Sequence, residues 1–150
     1  MRAATAHPIA ASKSLKIQQQ RLARLVQICL SLPESVRRDG ADHVDFRVRN
    51  KVFAYYLNDH HSDGITSLCC KSALGEHLDR ARREPGRFYL PAHIGPRGWF
   101  GLRLDGDRVD WAEVANIVEL SYCRVAPQRL ARAVEGGHPP PARPRPRSRR

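Results

Sequence analysis

One stretch constrains the fold more than any other, because residues 84–111 hold half of the chain's ten glycines and both of its tryptophans. Pro85-Gly86 predicts the end of a helix, and a short apolar strand, 88–90, follows it. Prolines and glycines then interrupt residues 91–98, which predicts a loop. From Trp99 to Leu104 every second residue is a large apolar one, which predicts another strand with one buried face. The stretch therefore predicts a strand, a loop and a second strand.

Three further strands are predicted earlier in the chain. Apolar residues alternate with charged ones over residues 44–49, as in a strand with one face in water. Arg49-Asn50 predicts a tight turn into a second strand over residues 51–58, and a third is predicted over residues 65–71. We expect one face of the second strand to hold Phe53, Tyr55 and Leu57.

Helices are predicted on either side of these strands. Apolar residues recur at three- and four-residue steps over about residues 16–32, 74–84 and 110–125. The buried side of the middle helix is expected to hold Leu74, Leu78 and Ala81. Asp110 and Glu113 have the spacing of a capping box at the start of the last helix. We interpret Arg37-Arg38-Asp39-Gly40, between the first helix and the first strand, as a turn.

The element order is helix, three strands, helix, two strands, helix. This order predicts a single α+β domain, in which helices pack on one face of a mainly antiparallel sheet. We place the domain at residues 16–132, after a disordered basic leader over residues 1–15 and before a disordered tail over residues 133–150. The leader also has the charge bias of a transit peptide, which is an alternative interpretation.

Charge points to a polyanionic partner. The net charge is +11, and the last twelve residues, PPPARPRPRSRR, contain five arginines and no acid. Such a segment cannot bury apolar surface and is expected to be polyproline-like. A basic domain with a basic tail favours nucleic acid as partner, before an anionic membrane. The alternative is that the charge only keeps the protein in solution.

No apolar run approaches the ~20 residues needed to cross a bilayer, so we expect a soluble, cytoplasmic protein that does not bind membranes.

The chain has no CxxC motif, and we expect Cys29, Cys69, Cys70 and Cys123 to be reduced thiols. Adjacent cysteines would point to opposite faces of a strand and cannot easily share a metal.

The residue types also allow two other kinds of site, a metal site and a catalytic site. The polar segment 59–63, with Asp59, His60, His61 and Asp63, contains metal-ligand types, but consecutive turn residues rarely converge on one ion. A catalytic site could combine Cys69 or Cys70 with His60 and Asp63. Another could combine Ser121, Tyr122 and Asp110. No spacing places a nucleophile beside a base, so we predict no catalytic residue, no metal and no cofactor.

Three strings in the chain are similar to the MmcQ/YjbR family. They are KVFAYYLNDHHSDG from Lys51, PGRFYLPAHIGPRGWFGLRLD from Pro85, and VDWAEVANIVELSYCRVAPQRL from Val109. The resemblance covers roughly residues 22–130. It implies the αβββαββα order predicted above. It also implies a non-enzymatic, DNA-binding-like protein with two projecting β wings.

By position, the resemblance places the first wing at the hairpin around Arg49-Asn50-Lys51, with Arg47 on its flank, and the second at residues 91–98. Long cations on projecting loops suit contacts with backbone phosphates, which need no recognition helix. Trp99 is the candidate for stacking on a base. The predicted nucleic-acid-binding residues are Arg47, Arg49, Lys51, Lys71, Arg97, Trp99, Arg103, Arg143, Arg145 and Arg147.

We expect the partner to be DNA bound without sequence specificity. The main alternative is a protein-interaction or chaperone-like adaptor domain that uses the helix-flanked sheet, because uncovered sheet edges invite strand addition. A small-molecule enzyme of unknown reaction is a more remote alternative.

Overall fold

The computed structural model describes residues 8–59 and 64–135. These residues form four α-helices and six strands, with a 3₁₀ turn at Gly95–Arg97. The helices are α1 (Pro8–Leu30), α2 (Glu76–Arg83), α3 (Trp111–Val125) and α4 (Gln128–Glu135). The strands are β1 (Ser35–Asp39), β2 (His43–Val48), β3 (Lys51–Asn58), β4 (Thr66–Lys71), β5 (Phe88–Tyr89) and β6 (Trp99–Arg103).

All six strands form one antiparallel sheet in the order β1-β2-β3-β4-β6-β5. The helices pack on one of its faces, as predicted. Each strand from β2 to β6 contributes residues to the core there, among them Phe46, Leu68 and Phe100. Leu25 of α1 and Val118 of α3 pack against them. The chain is therefore an α+β domain. None of the helices within residues 8–59 and 64–135 packs on the other face of the sheet, which we call the helix-free face. No helix among residues 8–59 and 64–135 is both long and apolar enough to cross a membrane.

A β-bulge interrupts the pairing of β2 with β3. Phe46 pairs with Ala54 and Arg47 pairs with Val52, so Phe53 is the extra residue. The bulge turns Phe53 into the helix-side core, where its ring meets Tyr122 edge-on at 5.3 Å. The prediction that Phe53 and Tyr55 share a face is therefore wrong, because an extra residue reverses the alternation along a strand.

The Ser121 hydroxyl of α3 bridges β3 and β4 next to this bulge. It donates to the Phe53 carbonyl at 2.6 Å and accepts from the Lys71 backbone N–H at 2.9 Å. Ladder pairing between these strands ends at Ala54 and Cys70. The hydroxyl thus satisfies two backbone groups where the ladder stops, and Ser121 is fully buried.

The residues interpreted as a turn, Arg37–Gly40, are mostly strand. β1 runs through Asp39 and pairs with β2, so the meander has four strands and the prediction of a turn there is wrong. The strand was missed because it is an edge strand, with its charged residues exposed.

The helices also differ from the prediction. α1 begins at Pro8, inside the segment expected to be a leader, and α4 extends past residue 132.

In the middle helix the predicted buried side is wrong, since Leu74 is 76% exposed and Leu78 is half exposed. His77 is buried instead, and the Arg80 guanidinium lies 4.8 Å from the centre of the Phe100 ring. Arg80 thus covers part of the core where an apolar side chain was expected.

Replacing Ser121 by alanine should destabilise the fold. The Phe53 carbonyl and the Lys71 N–H would lose their partner inside the protein, which typically costs about 1–3 kcal/mol of unfolding free energy. Urea denaturation of Ser121→Ala measures this loss. The matched control is Ser31→Ala, whose exposed hydroxyl bonds the Ile28 carbonyl at 2.7 Å and should matter by less than about 0.5 kcal/mol. Equal midpoints for both variants would contradict the bridging role.

Candidate functional site on the helix-free face

The segment from Tyr89 to Gly98 lies against the helix-free face. Tyr89 pairs with Gly101 in the register, and its ring occupies the space that a Cβ on Gly101 would need. Its hydroxyl bonds the Ser67 hydroxyl at 2.6 Å. Further along, the Gly98 carbonyl accepts from the Ser72 N–H at 2.9 Å. The segment predicted to project as a second wing is therefore tied to the sheet at both ends.

Trp99 is largely covered in this arrangement. It is 7% exposed, and its ring centre lies 5.2 Å from that of Tyr55 on β3. Little of the Trp99 ring remains for a base to stack on. Tyr55 and Tyr89 on this face are half-buried, so part of each ring remains accessible.

Asp45 organises charge on the same face. It is 3% exposed, and its carboxylate accepts from the Arg47 Nε at 2.8 Å. The His43 Nε2 lies 3.6 Å from its other oxygen. A buried carboxylate needs such partners, because removal from water disfavours the ionised form. Asp45 therefore fixes Arg47 and His43 beside Tyr55.

Two predicted arginines influence the Tyr55 phenol electrostatically. Burial raises the pKa of the Tyr55 phenol, and the Asp45 carboxylate raises it further. The positive charges of Arg47 and Arg97 both oppose that rise. Arg47 comes from β2 and Arg97 from the 3₁₀ turn, so one cation from each predicted wing acts on the same hydroxyl. No sequence pattern indicated that Arg47 and Tyr55 share the helix-free face.

Arg38 is a cation of this face that the sequence prediction missed. It is exposed, and it pairs with Asp45 across β1 and β2, which places it on the helix-free side. No sequence signal marked it, because Ser35–Asp39 contains a single apolar residue and no apolar alternation.

The other predicted cations are more dispersed. Arg49 makes a two-pronged ion pair with Glu34, whose pKa is lowered mainly by this hydrogen bond. Arg103 makes a similar pair with Asp105.

Lys51 is exposed at the hairpin, and Lys71 is half-buried at the end of β4. Three predicted residues, Arg143, Arg145 and Arg147, lie outside the described residues.

A cavity of about 500 Å³ opens between the sheet and the covering segment. Its floor comes from β2 and β3 through His43, Tyr55 and Leu57. Its other wall is the segment from Tyr89 to Ile94. The volume and the mixture of apolar, aromatic and a few polar groups are typical of a small-molecule site.

The side chains weighed as catalytic have structural contacts. The Tyr122 hydroxyl donates to the Pro33 carbonyl at 2.6 Å, and Asp110 caps α3 by accepting from Ala112 and Glu113. Asp110 thus starts the helix as predicted. Burial raises the pKa of the Cys70 thiol well above its usual range, which disfavours the nucleophilic thiolate.

The four cysteines are free thiols, as expected. Of the segment weighed as a metal site, His60, His61 and Asp63 lie outside the described residues. Over residues 8–59 and 64–135, no group of three or more metal-ligand side chains is arranged so that it could hold a metal ion.

Comparison with known proteins identifies the family. The YjbR family model matches residues 30–124, which include the sheet and most of α3. This chain belongs to the YjbR family. Among solved structures, it is similar to the crystal structure of the Deinococcus radiodurans protein DR2400, which contains a DUF419 domain. That match has a TM-score of 0.59 and 18% identity, and it covers 76% of this chain and 87% of the other. No significant match exists among curated proteins.

We expect Gly101→Ala to disturb the helix-free face of this YjbR protein. The new methyl would overlap the Tyr89 ring, so the ring must move and lose its bond to Ser67. Overpacking of this kind costs about 1–3 kcal/mol of unfolding free energy, which urea denaturation measures. Gly86→Ala is the matched control, because no atom lies within 4 Å of its added Cβ. If Gly101→Ala proved as stable as the control, Tyr89 would not be held on the sheet.

Proposed function

We propose that this protein is a non-enzymatic binder of nucleic acid, with DNA as its expected partner. In this proposal Arg38, Arg47 and Arg97 on the helix-free face contact backbone phosphates, and the arginine-rich C-terminal segment adds nonspecific attraction. Phosphate contacts need cations that reach a common surface and carry no sequence information. The observation that carries the proposal is that Arg38 and Arg47 lie on the helix-free face of β1 and β2, where the Asp45 carboxylate orients the Arg47 guanidinium.

Ion pairing decides which cations contribute most. Asp45 already neutralises much of the charge of Arg47, so that arginine would serve mainly as an oriented hydrogen-bond donor. Arg38 and Arg97 are exposed and make no ion pair with any described residue. We assign to them the larger share of attraction by the folded domain. Arg49 and Arg103 would first have to leave their carboxylates, which weakens their contribution.

Truncation after His138 tests the contribution of the arginine-rich segment. It removes five arginines. Each phosphate contact contributes about 0.9 to the slope of log affinity against log salt, so the slope should flatten by up to ~4.5. Fluorescence anisotropy with a labelled 20-base-pair duplex at several salt concentrations measures both slopes. Residual, salt-dependent binding by the truncated chain is expected. A truncated chain that does not bind at low salt would contradict a role for the folded domain.

A double substitution on the domain tests the helix-free face. Arg38→Ala with Arg97→Ala should weaken duplex binding by a similar factor on any sequence and reduce the salt slope by about 2. The matched control is Arg124→Ala with Arg132→Ala, which removes the same charge from exposed sites on α3 and α4. Equal losses in the two variants would mean that net charge alone attracts the duplex. The helix-free face would then have no special part in binding.

A further inference from the structure

We propose that the cavity beneath residues 89–94 receives one unstacked base of a single-stranded nucleic acid, while Arg47 and Arg97 contact the adjoining phosphates. This inference rests on the proposed function and makes it more specific. It names single strands, rather than duplex, as the preferred form of the ligand at this face.

The lining of the cavity suits a flat, mostly apolar ring. Tyr55 and Tyr89 supply aromatic surface, and Leu57, Leu90 and Ile94 supply aliphatic surface. Every base has a π-face, so stacking against such side chains is tolerant of sequence. A volume of about 500 Å³ also exceeds what a single base requires and lies within the usual range of ligand sites.

Arg47 and Arg97 are both tied to the cavity lining. Asp45 holds Arg47 and also contacts His43, which lines the cavity beside Tyr55. Arg97 follows Ile94 of the lining in the 3₁₀ turn, and its backbone N–H donates to the Ile94 carbonyl at 3.0 Å. A nucleotide has the same layout, with a ring on one side and a phosphate on the other. Cations placed beside a ring-accepting cavity are therefore complementary to one nucleotide, whereas an uncharged apolar ligand would leave the arginines unused.

The polar groups at the cavity are already engaged in protein contacts. His43 is held between Asp42 and Asp45, and the Tyr89 hydroxyl bonds Ser67. They could form additional hydrogen bonds, but no side chain in the lining presents the paired donor and acceptor that identify one base. We therefore expect little discrimination among bases.

Duplex DNA cannot use the cavity without disruption. Its bases are stacked and paired, and extruding one costs a few kcal/mol, whereas a single strand exposes its bases at little cost. The cavity should therefore add affinity for single strands beyond what the phosphate contacts give to either form.

Binding of three ligands by the full chain separates the cavity from the backbone contacts. They are a 12-nucleotide oligothymidylate, an abasic oligomer with the same number of phosphates, and a 12-base-pair duplex, each labelled for anisotropy at one salt concentration. Oligothymidylate should bind at least ~5-fold more tightly than the abasic oligomer, the lower end of what stacking one base contributes. Equal affinities would overturn the cavity proposal and leave backbone binding intact.

Ala92→Phe closes the cavity from an exposed position on its rim, so that the fold should be retained. The variant should bind oligothymidylate no better than the abasic oligomer, with affinity for the abasic oligomer unchanged. Ala133→Phe, at an exposed position on α4, should keep the wild-type ratio. An unchanged preference for oligothymidylate in Ala92→Phe would also overturn the proposal.

Failure of the proposed function would look different, because the full chain would then bind none of the three ligands at low salt. In that case titration with thymidine 5′-monophosphate, followed by NMR, tests the cavity directly. Chemical-shift changes at Tyr55 and Leu57 in the wild type that are absent in Ala92→Phe would support nucleotide binding in the cavity. No shift at these residues would overturn it.

Discussion

The bulge between β2 and β3 is the constraint on which both faces of the sheet depend. Without the extra residue, Phe53 and Tyr55 would lie on the same side. With it, Phe53 enters the core against Tyr122, and Tyr55 faces the helix-free side beside Asp45. Ser121 then bonds the Phe53 carbonyl, which ties the last long helix to the irregularity. One inserted residue thus gives the core one of its rings and the candidate site its central phenol.

Sequence patterns predicted the parts of this fold that follow simple periodicity. The alternation in β6 was confirmed, since Phe100 and Leu102 are in the core while Gly101 lies on the other face. The helix cap at Asp110 was also confirmed. The bulge could not be foreseen, because it depends on how two strands pair and leaves no mark in either strand alone. β1 was missed for a related reason, since a charged edge strand and a polar turn have the same composition.

The candidate site was predicted less completely than the fold. Arg47 and Arg97 were identified as long cations near turns, but Tyr55 was assigned only to a strand face. The covering of Trp99 depends partly on its contact with the Tyr55 ring of β3, which lies two strands away in the same sheet. Such contacts join residues more than forty positions apart, and no local pattern reports them. Counting charges also overestimated the number of arginines available to bind phosphates. Asp45, Glu34 and Asp105 each form an ion pair with one of the predicted arginines.

The unequal covering of the two faces explains why a cavity exists at all. On one face, helices supply enough side chains to fill the space above the sheet. On the other, a segment of about ten residues must do so, and Gly101 supplies no side chain beneath the Tyr89 ring. A short segment pinned at Tyr89 and Gly98 cannot close over His43, Tyr55 and Leu57 as a helix would. The open space is thus a consequence of the architecture, and the arginines beside Tyr55 determine the chemistry of what it can admit.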